Sequence, residues 1–392
     1  MTKKVQRVER MKIKNGLVYR NHEFVKTDVC ITNGVISDDC DDSEIYDAEG
    51  MYVIPGLIDI HLHGANKADL SDADIDAIDV IAGYEVGRGI TTICPATMTC
   101  ETDHLQKIIK CVYDWKEKKS DIRSTMADVA GVYLEGPFIS PKKCGAQNGK
   151  YACLPDSELL EKYIGVYDDV IKIVTIAPEL PGTKDFVINY ADKYRLSIAH
   201  SEADYDTASE AFRYGVKGVT HLYNAMEPVS ARNPGIPGAA FDNPNVSIEL
   251  ICDGVHVHPS NVRKTFKEFG DERIIMISDS MRACGSGNGH FMLGDTAVRV
   301  NGKIAVAEEN GVLAGSVCDL MTCLVTAVTE IGIRPESAVR CVTENPAKAL
   351  GLYNVIGSID VGKRADICIL NKDLSIKKVI KSGKSIATAI QK

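Results

Sequence analysis

The sequence has little that would tie it to a membrane or to nucleic acid. No uninterrupted apolar run approaches the ~18 residues that a membrane-spanning helix needs. No long basic run occurs, and the formal net charge is −9. The charged N-terminus has no apolar segment of the kind found in secretory signals. We therefore expect no membrane partner, no nucleic-acid partner and a cytoplasmic location.

Motifs for cysteine pairing and for phosphate binding are also missing. The 13 cysteines are scattered and never spaced as CxxC. In a chain of 392 residues, this favours reduced thiols in a cytoplasm over a disulfide framework. Gly285–His290 (GSGNGH) lacks the spacing of a P-loop and predicts a mobile loop instead. Side chains and backbone N–H groups would then have to hold any bound phosphate.

What is present is an ordinary globular composition with a regular alternation of elements. Short apolar runs alternate with segments of helical spacing, as in βαβ units with a parallel sheet. Seven or eight such units over about 290 residues fit a (β/α)8 TIM-like barrel. The predicted strands include Val129–Glu135, Ile171–Ala177, Leu196–His200, Val216–His221, Val246–Asp253 and Arg273–Asp279. The predicted helices include Pro155–Val170, Thr183–Arg195, Pro259–Phe269 and Pro335–Leu350.

The two ends of the chain differ from its middle. Residues 1–54 predict short alternating strands with hairpin-like turns at Asn15-Gly16 and Asn33-Gly34. The stretch after Gly357 is also typical of β-structure. We therefore predict a small β-sandwich domain composed of residues 1–54 and 356–392, beside a barrel of residues 55–355.

Polar residues end several of the predicted strands. In PGLIDIHLHG (Pro55–Gly64), His61 and His63 face the same side, because alternate residues of a strand do so. The other strand-end candidates are Glu135, His200, His221 and Asp279. Taken singly, such a residue is more often a hydrogen-bonded core residue or a helix cap. Several of them at one barrel mouth, where active sites lie, indicate a site for a divalent transition metal.

The chain resembles the N-acetylglucosamine-6-phosphate deacetylases of the amidohydrolase superfamily. The resemblance rests on motifs that occur in family order between Pro55 and Leu352: PGLIDIHLHG, VYLEGPF, AHSEA, THLYNAM, ICDGVHVHP, ISDSMRACG, GVLAGS and TENPAKALGL. THLYNAM and GVLAGS distinguish this family from dihydroorotases better than the HxH motif does. The β-rich termini also match the composite second domain typical of the superfamily.

The resemblance implies a metal centre. His200, His221 and Glu135 match the ligands of the main metal site. His61 and His63 match the HxH of members that hold a second metal, which Glu135 would bridge to the first. We therefore expect one or two divalent ions, with two favoured. Zinc, iron, manganese and cobalt all suit such ligands.

The resemblance also assigns the acid/base and the substrate contacts. Asp279 matches the residue that accepts the proton of water and delivers it to the departing amine. The positions that match the sugar-phosphate site are Ala146, Gln147, Asn224, Ala225, Arg232, His256, Leu313, Ala314 and Gly315. Gln147 departs from the family, because many members have a histidine there and glutamine cannot become cationic. A second metal could supply the missing polarisation of the acetyl carbonyl.

The expected partners are a small amino-sugar phosphate and a second copy of the chain. Family members are usually dimers, and the loop carrying Arg232 resembles one that reaches the partner's active site. Its planar guanidinium would match phosphate oxygens. His256 is a candidate donor to the developing oxyanion or to a sugar hydroxyl.

The expected reaction is hydrolysis of the acetamide of N-acetylglucosamine 6-phosphate to glucosamine 6-phosphate and acetate. One alternative is an amidohydrolase that acts on another acylated amino sugar or on a cyclic amide. No lysine replaces Glu135, which argues against a dihydroorotase-type site. Another alternative is a sugar-phosphate sensor without catalysis, against which the presence of Asp279 and the histidines argues.

Overall fold

The structure, a computed structural model, describes residues 9–40, 44–118 and 120–386. The predicted small domain also includes residues 1–8, 41–43 and 387–392, which lie outside the described ranges. Within those ranges the chain combines a mixed sheet, a set of parallel strands with helices between them, and a three-stranded antiparallel insert.

Strands from both ends of the chain pair in one sheet of eight strands. They are β1 (Arg10–Arg20), β2 (Glu23–Thr32), β3 (Val35–Ser37), β4 (Glu44–Asp47), β5 (Tyr52–Pro55), β20 (Ile367–Leu370), β21 (Ile376–Lys381) and β22 (Lys384–Ile386). Their order is β22-β21-β20-β5-β1-β2-β3, with β4 paired with β1. The two termini therefore share one β-rich unit, and its division into the two layers of a sandwich stays a prediction.

One of the two predicted turns of this unit is wrong. Strand β1 continues through Asn15-Gly16, where its pairing with β2 shifts register between Ile13 and Gly16. Asn15 has a φ of +63°, which a bulge requires as readily as a turn does. The other predicted turn, Asn33-Gly34, is confirmed between β2 and β3.

The parallel strands confirm the predicted βαβ alternation. They are β6 (Leu57–Asp59), β9 (Ile90–Ile93), β10 (Asp128–Val129), β11 (Val132–Leu134), β12 (Ile171–Ile176), β13 (Arg195–Ile198), β14 (Gly218–Val219), β15 (Ser247–Ile251) and β16 (Ile274–Ile277). Strands β10, β9 and β6 form one sheet, and β11 to β16 form another in chain order. Most of these strand residues are buried, as expected where helices cover a parallel sheet.

Ten α-helices complete the described part of the chain. They are α1 (Ile75–Gly87), α2 (Thr102–Glu117), α3 (Ser157–Ile164), α4 (Thr183–Tyr190), α5 (Tyr205–Tyr214), α6 (Gly235–Asp242), α7 (Pro259–Phe269), α8 (Leu320–Thr326), α9 (Pro335–Val342) and α10 (Glu344–Ala349). The single helix predicted over Pro335–Leu350 is therefore wrong. It divides at Thr343 because Pro346 has no N–H with which to continue the helical hydrogen bonds. No helix in the described ranges has the length and apolar character needed to cross a membrane.

An insert follows the last parallel strand. It consists of β17 (Gly289–Leu293), β18 (Thr296–Asn301) and β19 (Ile304–Ala307), and a short hairpin of β7 (Gly64–Ala65) and β8 (Ala68–Asp69) lies after β6. The predicted mobile loop Gly285–His290 is therefore wrong at its end, because Gly289 and His290 pair with β18. Leu293 of the insert packs with Met98 and Met281. The insert thus adds an apolar wall near the ends of the parallel strands.

The cysteines differ from expectation at one pair. Cys30 and Cys40 form a disulfide, since the turn between β2 and β3 brings their Cα atoms within 5.2 Å. Eleven other cysteines are free, so no disulfide framework exists in the described chain. The cytoplasmic location stays a prediction.

Glu85 on α1 is a buried carboxyl group without a compensating partner. Its side chain is 0% exposed, and neither oxygen has a hydrogen-bond partner in the part of the chain described. Burial and the charges of Asp319 and Asp59 raise the pKa of Glu85 well above its usual range. The charge of Arg88 lowers this pKa but does not offset the other effects. Above the unfolded pKa of roughly 4.3, the unfolded chain releases this proton while the folded chain keeps it, so stability falls as pH rises.

Replacement of Glu85 by methionine should therefore stabilise the fold. We expect Glu85→Met to raise the free energy of unfolding at pH 7 by about 1–3 kcal/mol, because it removes an unpaired buried polar group. The gain should shrink towards pH 4, where the unfolded chain also holds most of this proton. Denaturant unfolding at the two pH values measures it, with the exposed Glu117→Met as the matched control. An unchanged or lower stability at pH 7 would contradict this account.

Candidate metal and catalytic site

The predicted strand-end residues converge where the parallel strands end. His61 and His63 follow β6, Glu135 follows β11, His200 follows β13, His221 follows β14 and Asp279 follows β16. Each is at most 9% exposed. All but His61 line a cavity of about 420 Å³, and His61 lies directly behind them. The fold thus brings together, at one place, every residue proposed for metal binding and proton transfer.

Glu135 lies at the centre of this group. Its Oε1 is 3.1 Å from Nε2 of His200 and 3.1 Å from Nε2 of His221. Its Oε2 is 3.3 Å from Nε2 of His63 and 3.5 Å from Nε2 of His61. One carboxylate therefore faces two pairs of histidines, which is the arrangement that a bridging ligand requires.

Asp279 lies beside His61 and His63. Its Oδ1 is 3.2 Å from Nε2 of His63 and 3.8 Å from Nε2 of His61. These three residues form one group whose ligand atoms lie within 4.8 Å of one another, and Glu135, His200 and His221 form a second. Asp279 is therefore a candidate ligand as well as a candidate acid/base.

The geometry of both groups fits a divalent ion. Nε2 of His61 is buried and has no hydrogen-bond partner within the described ranges. The Nε2 atoms of His200 and His221 are 3.2 Å apart, close to the ~3.3 Å that separates two nitrogens bound tetrahedrally at 2.0–2.1 Å. Imidazole nitrogens with carboxylate oxygens suit zinc, iron, manganese or cobalt.

Three of the four histidines have a hydrogen-bond acceptor at Nδ1, which leaves Nε2 as the nitrogen that can bind a metal. These contacts are His61 to Glu249 Oε2 (3.0 Å), His63 to the carbonyl of Ala96 (3.2 Å) and His200 to the carbonyl of Lys143 (2.9 Å). An imidazole that donates through Nδ1 keeps its lone pair on Nε2. In all three residues Nε2 is the atom that faces Glu135.

Three of the candidate site residues that follow strands have strained backbone conformations, which determine the direction of their side chains. His200, His221 and Asp279 have φ values of +47°, +32° and +50°, a region that costs energy outside glycine. Hydrogen bonds hold Asp279 there: its N–H donates to the carbonyl of His61 (2.9 Å), and its carbonyl accepts from Ser316 (2.7 Å). Such strain persists where the surrounding structure enforces it, as it does here.

The electrostatics of the group favour a cation. Burial lowers the pKa of His63, but Asp279 and Glu135 outweigh that effect and raise it to about 10. Burial raises the pKa of Glu135, but the neighbouring histidines outweigh it and hold it well below its usual range. For Asp279, His63 and His61 likewise outweigh burial and lower the pKa. Without a metal, the carboxylates draw positive charge onto the histidines.

Most of the predicted substrate contacts lie on the cavity wall. Those that line it are Ala146, Gln147, Asn224, Ala225, His256, Leu313 and Gly315. Ala314 is fully buried in the apolar cluster under the insert and does not line the cavity. Arg232 is exposed on its loop and also lies outside the lining of its own chain's cavity.

Gln147 is held by two hydrogen bonds. Its Oε1 accepts from the N–H of Thr99 (2.6 Å), and its Nε2 donates to Oε2 of Glu135 (2.8 Å). The first contact fixes which end of the amide faces Glu135. The glutamine therefore orients the central carboxylate, and its second amide hydrogen is what remains for a substrate oxygen.

His256 is oriented by a carboxylate that the sequence reasoning missed. Its Nδ1 lies 2.7 Å from Oδ2 of Asp253, and its side chain is 5% exposed. Burial lowers the pKa of His256, but the contact with Asp253 outweighs it and raises the pKa. Asp253 and Glu249 both lie in the apolar run Val246–Asp253. A carboxylate in a buried strand needs a partner, and that signal could have identified both residues.

Comparison with known proteins agrees with this geometry. The chain matches the amidohydrolase family over residues 52–386. It is 34% identical to an N-acetylglucosamine-6-phosphate deacetylase of Bacillus subtilis (strain 168), over 83% of this chain and 82% of that protein. It is 30% identical to an N-acetylgalactosamine-6-phosphate deacetylase of Escherichia coli O157:H7, over 83% and 85%.

A solved structure is similar over nearly the whole chain. It is a mutant N-acetyl-D-glucosamine-6-phosphate deacetylase from Mycobacterium smegmatis in complex with N-acetyl-D-glucosamine-6-phosphate. The TM-score is 0.89 at 26% identity, covering 97% of this chain and 100% of that one. The family match, the relatives and the shared fold agree. The chain belongs to the amidohydrolase family, together with the N-acetylglucosamine-6-phosphate deacetylases.

Proposed function

We propose that this protein hydrolyses the acetamide of N-acetylglucosamine 6-phosphate to glucosamine 6-phosphate and acetate. The observation that carries the proposal is the cavity floor, where Glu135 lies between two histidine pairs beside Asp279. An acetate-release assay on the purified protein tests it, with N-acetylglucosamine lacking the phosphate as the comparison. Absence of acetate release from the phosphorylated sugar in metal-replete protein would contradict it.

The residues of the cavity suit amide hydrolysis. A divalent ion held by the histidines and Glu135 would polarise the acetyl carbonyl and make water a better nucleophile at neutral pH. Asp279 accepts the proton of the attacking water and delivers it to the amine nitrogen, which leaves poorly unless protonated. Gln147 and His256 donate hydrogen bonds to the substrate. The acceptor is the acetyl carbonyl oxygen, which gains negative charge during the reaction, or a sugar hydroxyl.

A second candidate substrate is N-acetylgalactosamine 6-phosphate. The support is the 30% identical relative from Escherichia coli O157:H7, whose name states that activity. The two sugars differ only in the direction of the hydroxyl on C4, so the acetamide chemistry would be the same. Comparison of kcat/KM for the two epimers decides between them. A ratio above one for the gluco epimer supports the leading proposal.

We also propose that the nine parallel strands close into a barrel of eight positions, with strands β10 and β11 sharing one staggered position. Two contacts support closure. A parallel bridge between Ala96 and Tyr133 joins the end of β9 to β11. On the other side, the N–H of Asp279 after β16 donates to the carbonyl of His61 after β6. The domain division into residues 1–54 with 356–392, and 55–355, accompanies this proposal.

A homodimer is part of the proposed function, because the described lining of the cavity offers no lysine or arginine for the phosphate. A phosphate dianion is best held by charge-assisted hydrogen bonds. Arg232 is exposed on its loop, and a bond between Ser230 and Asn233 (2.8 Å) closes the turn that presents it. We propose that it completes the site of a partner subunit.

We propose that each chain binds two metal ions. His61, His63 and Asp279 form a ligand group separate from Glu135, His200 and His221. Metal analysis of replete protein should therefore exceed one equivalent per chain. His63→Gln should lower it towards one, because it removes a nitrogen of one group only.

The matched control for the metal analysis is His104→Gln. His104 bonds the carbonyl of Ser71 (2.8 Å) outside the cavity, so its loss should leave the metal content unchanged. One equivalent in the wild type that persists in His63→Gln would contradict the two-ion proposal.

A further inference from the structure

Glu249 has no role in the proposed reaction, yet it contacts the metal centre. It lies in the middle of β15, between Ile248 and Leu250, and its side chain is 6% exposed. Its Oε2 is 3.0 Å from Nδ1 of His61, whose side chain is 0% exposed. A buried carboxylate is costly unless it is paired. The pairing with His61 is therefore a specific feature of this interior.

The contact differs from those of the other three histidines. Nδ1 of His63 and of His200 meet neutral backbone carbonyls, and Nδ1 of His221 has no partner in the described part of the chain. Of the four histidines, only His61 therefore has a carboxylate as the partner of its Nδ1. A carboxylate at this position fixes the protonated nitrogen and makes the opposite nitrogen a stronger ligand.

The far side of the His61 ring is prepared for a cation. Its Nε2 is buried and lacks a hydrogen-bond partner in the described structure, with Glu135 at 3.5 Å and Asp279 at 3.8 Å. The ring centroids of Tyr133 and His61 are 4.5 Å apart, and the Tyr133 hydroxyl forms a hydrogen bond of 2.7 Å with Oγ1 of Thr220. The ring is therefore held on one face and at Nδ1, and its one unused polar atom points at the two carboxylates.

We infer that Glu249 is a positioning residue for the metal bound by His61 and His63, and that it sets the occupancy of this ion but not of the one held by His200 and His221. The inference rests on the two-ion form of the proposed function. Glu249 acts through His61: its Oε2 accepts a hydrogen bond from Nδ1–H, so that the lone pair of Nε2 faces the ion. Its negative charge also increases the affinity of that nitrogen for a divalent cation.

Zinc titration of metal-free protein in competition with a chromogenic chelator tests this inference. The wild type should bind two equivalents. In Glu249→Leu the affinity for one equivalent should fall roughly 100-fold, and in Glu249→Gln roughly tenfold, because glutamine keeps an acceptor but loses the charge. The other equivalent should keep its wild-type affinity in both variants.

Thermal unfolding of the metal-free variants separates positioning from a merely structural role. Glu268→Gln, an exposed carboxylate on α7, is the matched control. Two equivalents of wild-type affinity in both Glu249 variants would overturn the inference, as would equal weakening of both equivalents. If Glu249→Leu does not fold, Glu249→Gln alone decides.

The titration also separates this inference from the proposed function. A wild type that binds only one equivalent would contradict the two-ion form and the inference together. If the wild type binds two equivalents and the variants do so as well, only the role of Glu249 is overturned. Deacetylase activity is measured in a different assay, so its absence would leave the zinc result intact.

Discussion

Asp279→Asn is expected to lower kcat by at least ~100-fold, the range found when a general acid–base group is lost. Asparagine keeps the shape of the side chain but cannot accept the proton of water and pass it to the amine. KM should change little, because the cavity wall formed by Gln147, His256 and their neighbours stays in place. Steady-state kinetics on the phosphorylated sugar measure both constants.

Metal content has to be measured in the same variant. Oδ1 of Asp279 is 3.2 Å from Nε2 of His63, so the residue is also a candidate ligand. A loss of rate at unchanged metal content assigns proton transfer to Asp279. A fall of only a few-fold would mean that another group transfers the proton. The exposed Asp103→Asn on α2 is the matched control and should keep wild-type kinetics.

The parts of the fold that local patterns determine were predictable. Helix α7 begins and ends where predicted, because Pro259 suits a first helical turn and Gly270 follows the last residue. The apolar runs that end in His61, Glu135 and Asp279 all became buried parallel strands or their ends. In a parallel sheet with helical crossovers, strand ends meet on one side. Convergence of these residues therefore followed from the alternation of elements.

What local patterns could not supply was the direction of the chain after each strand and the pairing across strands. The positive φ values of His200, His221 and Asp279 aim their side chains, and no spacing rule predicts them. The contact between Glu249 and His61 joins residues 188 positions apart. Contacts between residues so far apart in sequence can be identified only once the strands are placed side by side.

The exposed loop at Arg232 shows the same limit at the level of the assembly. A single chain leaves its cavity without an arginine or lysine in the described lining, and we propose that the cation for phosphate comes from outside that lining. The family resemblance suggested the partner subunit as its source. The geometry of one protomer is compatible with that origin, because Arg232 is exposed and is not among the described residues that line its own cavity.

Arg232→Ala should therefore weaken binding of the phosphorylated sugar by about 10–150-fold, the equivalent of 1.5–3 kcal/mol for a charge-assisted contact. The unphosphorylated sugar should be almost unaffected, because it has no dianion to lose a partner. The comparison of KM for the two sugars measures this selectively. Arg213→Ala, an exposed arginine on α5, is the matched control and should change neither value.

Mixing the two impaired variants, assayed with the phosphorylated sugar far below the KM of Arg232→Ala, tests whether Arg232 acts across the dimer. In a mixed dimer of Arg232→Ala and Asp279→Asn chains, one site would combine the Asp279 of the first chain with the Arg232 of the second. Random exchange makes half of the dimers mixed, so about a quarter of wild-type activity should return. An arginine that served its own subunit would restore none, because each chain would still carry its own defect. Verified exchange without recovered activity would therefore mean that phosphate binding does not need the partner.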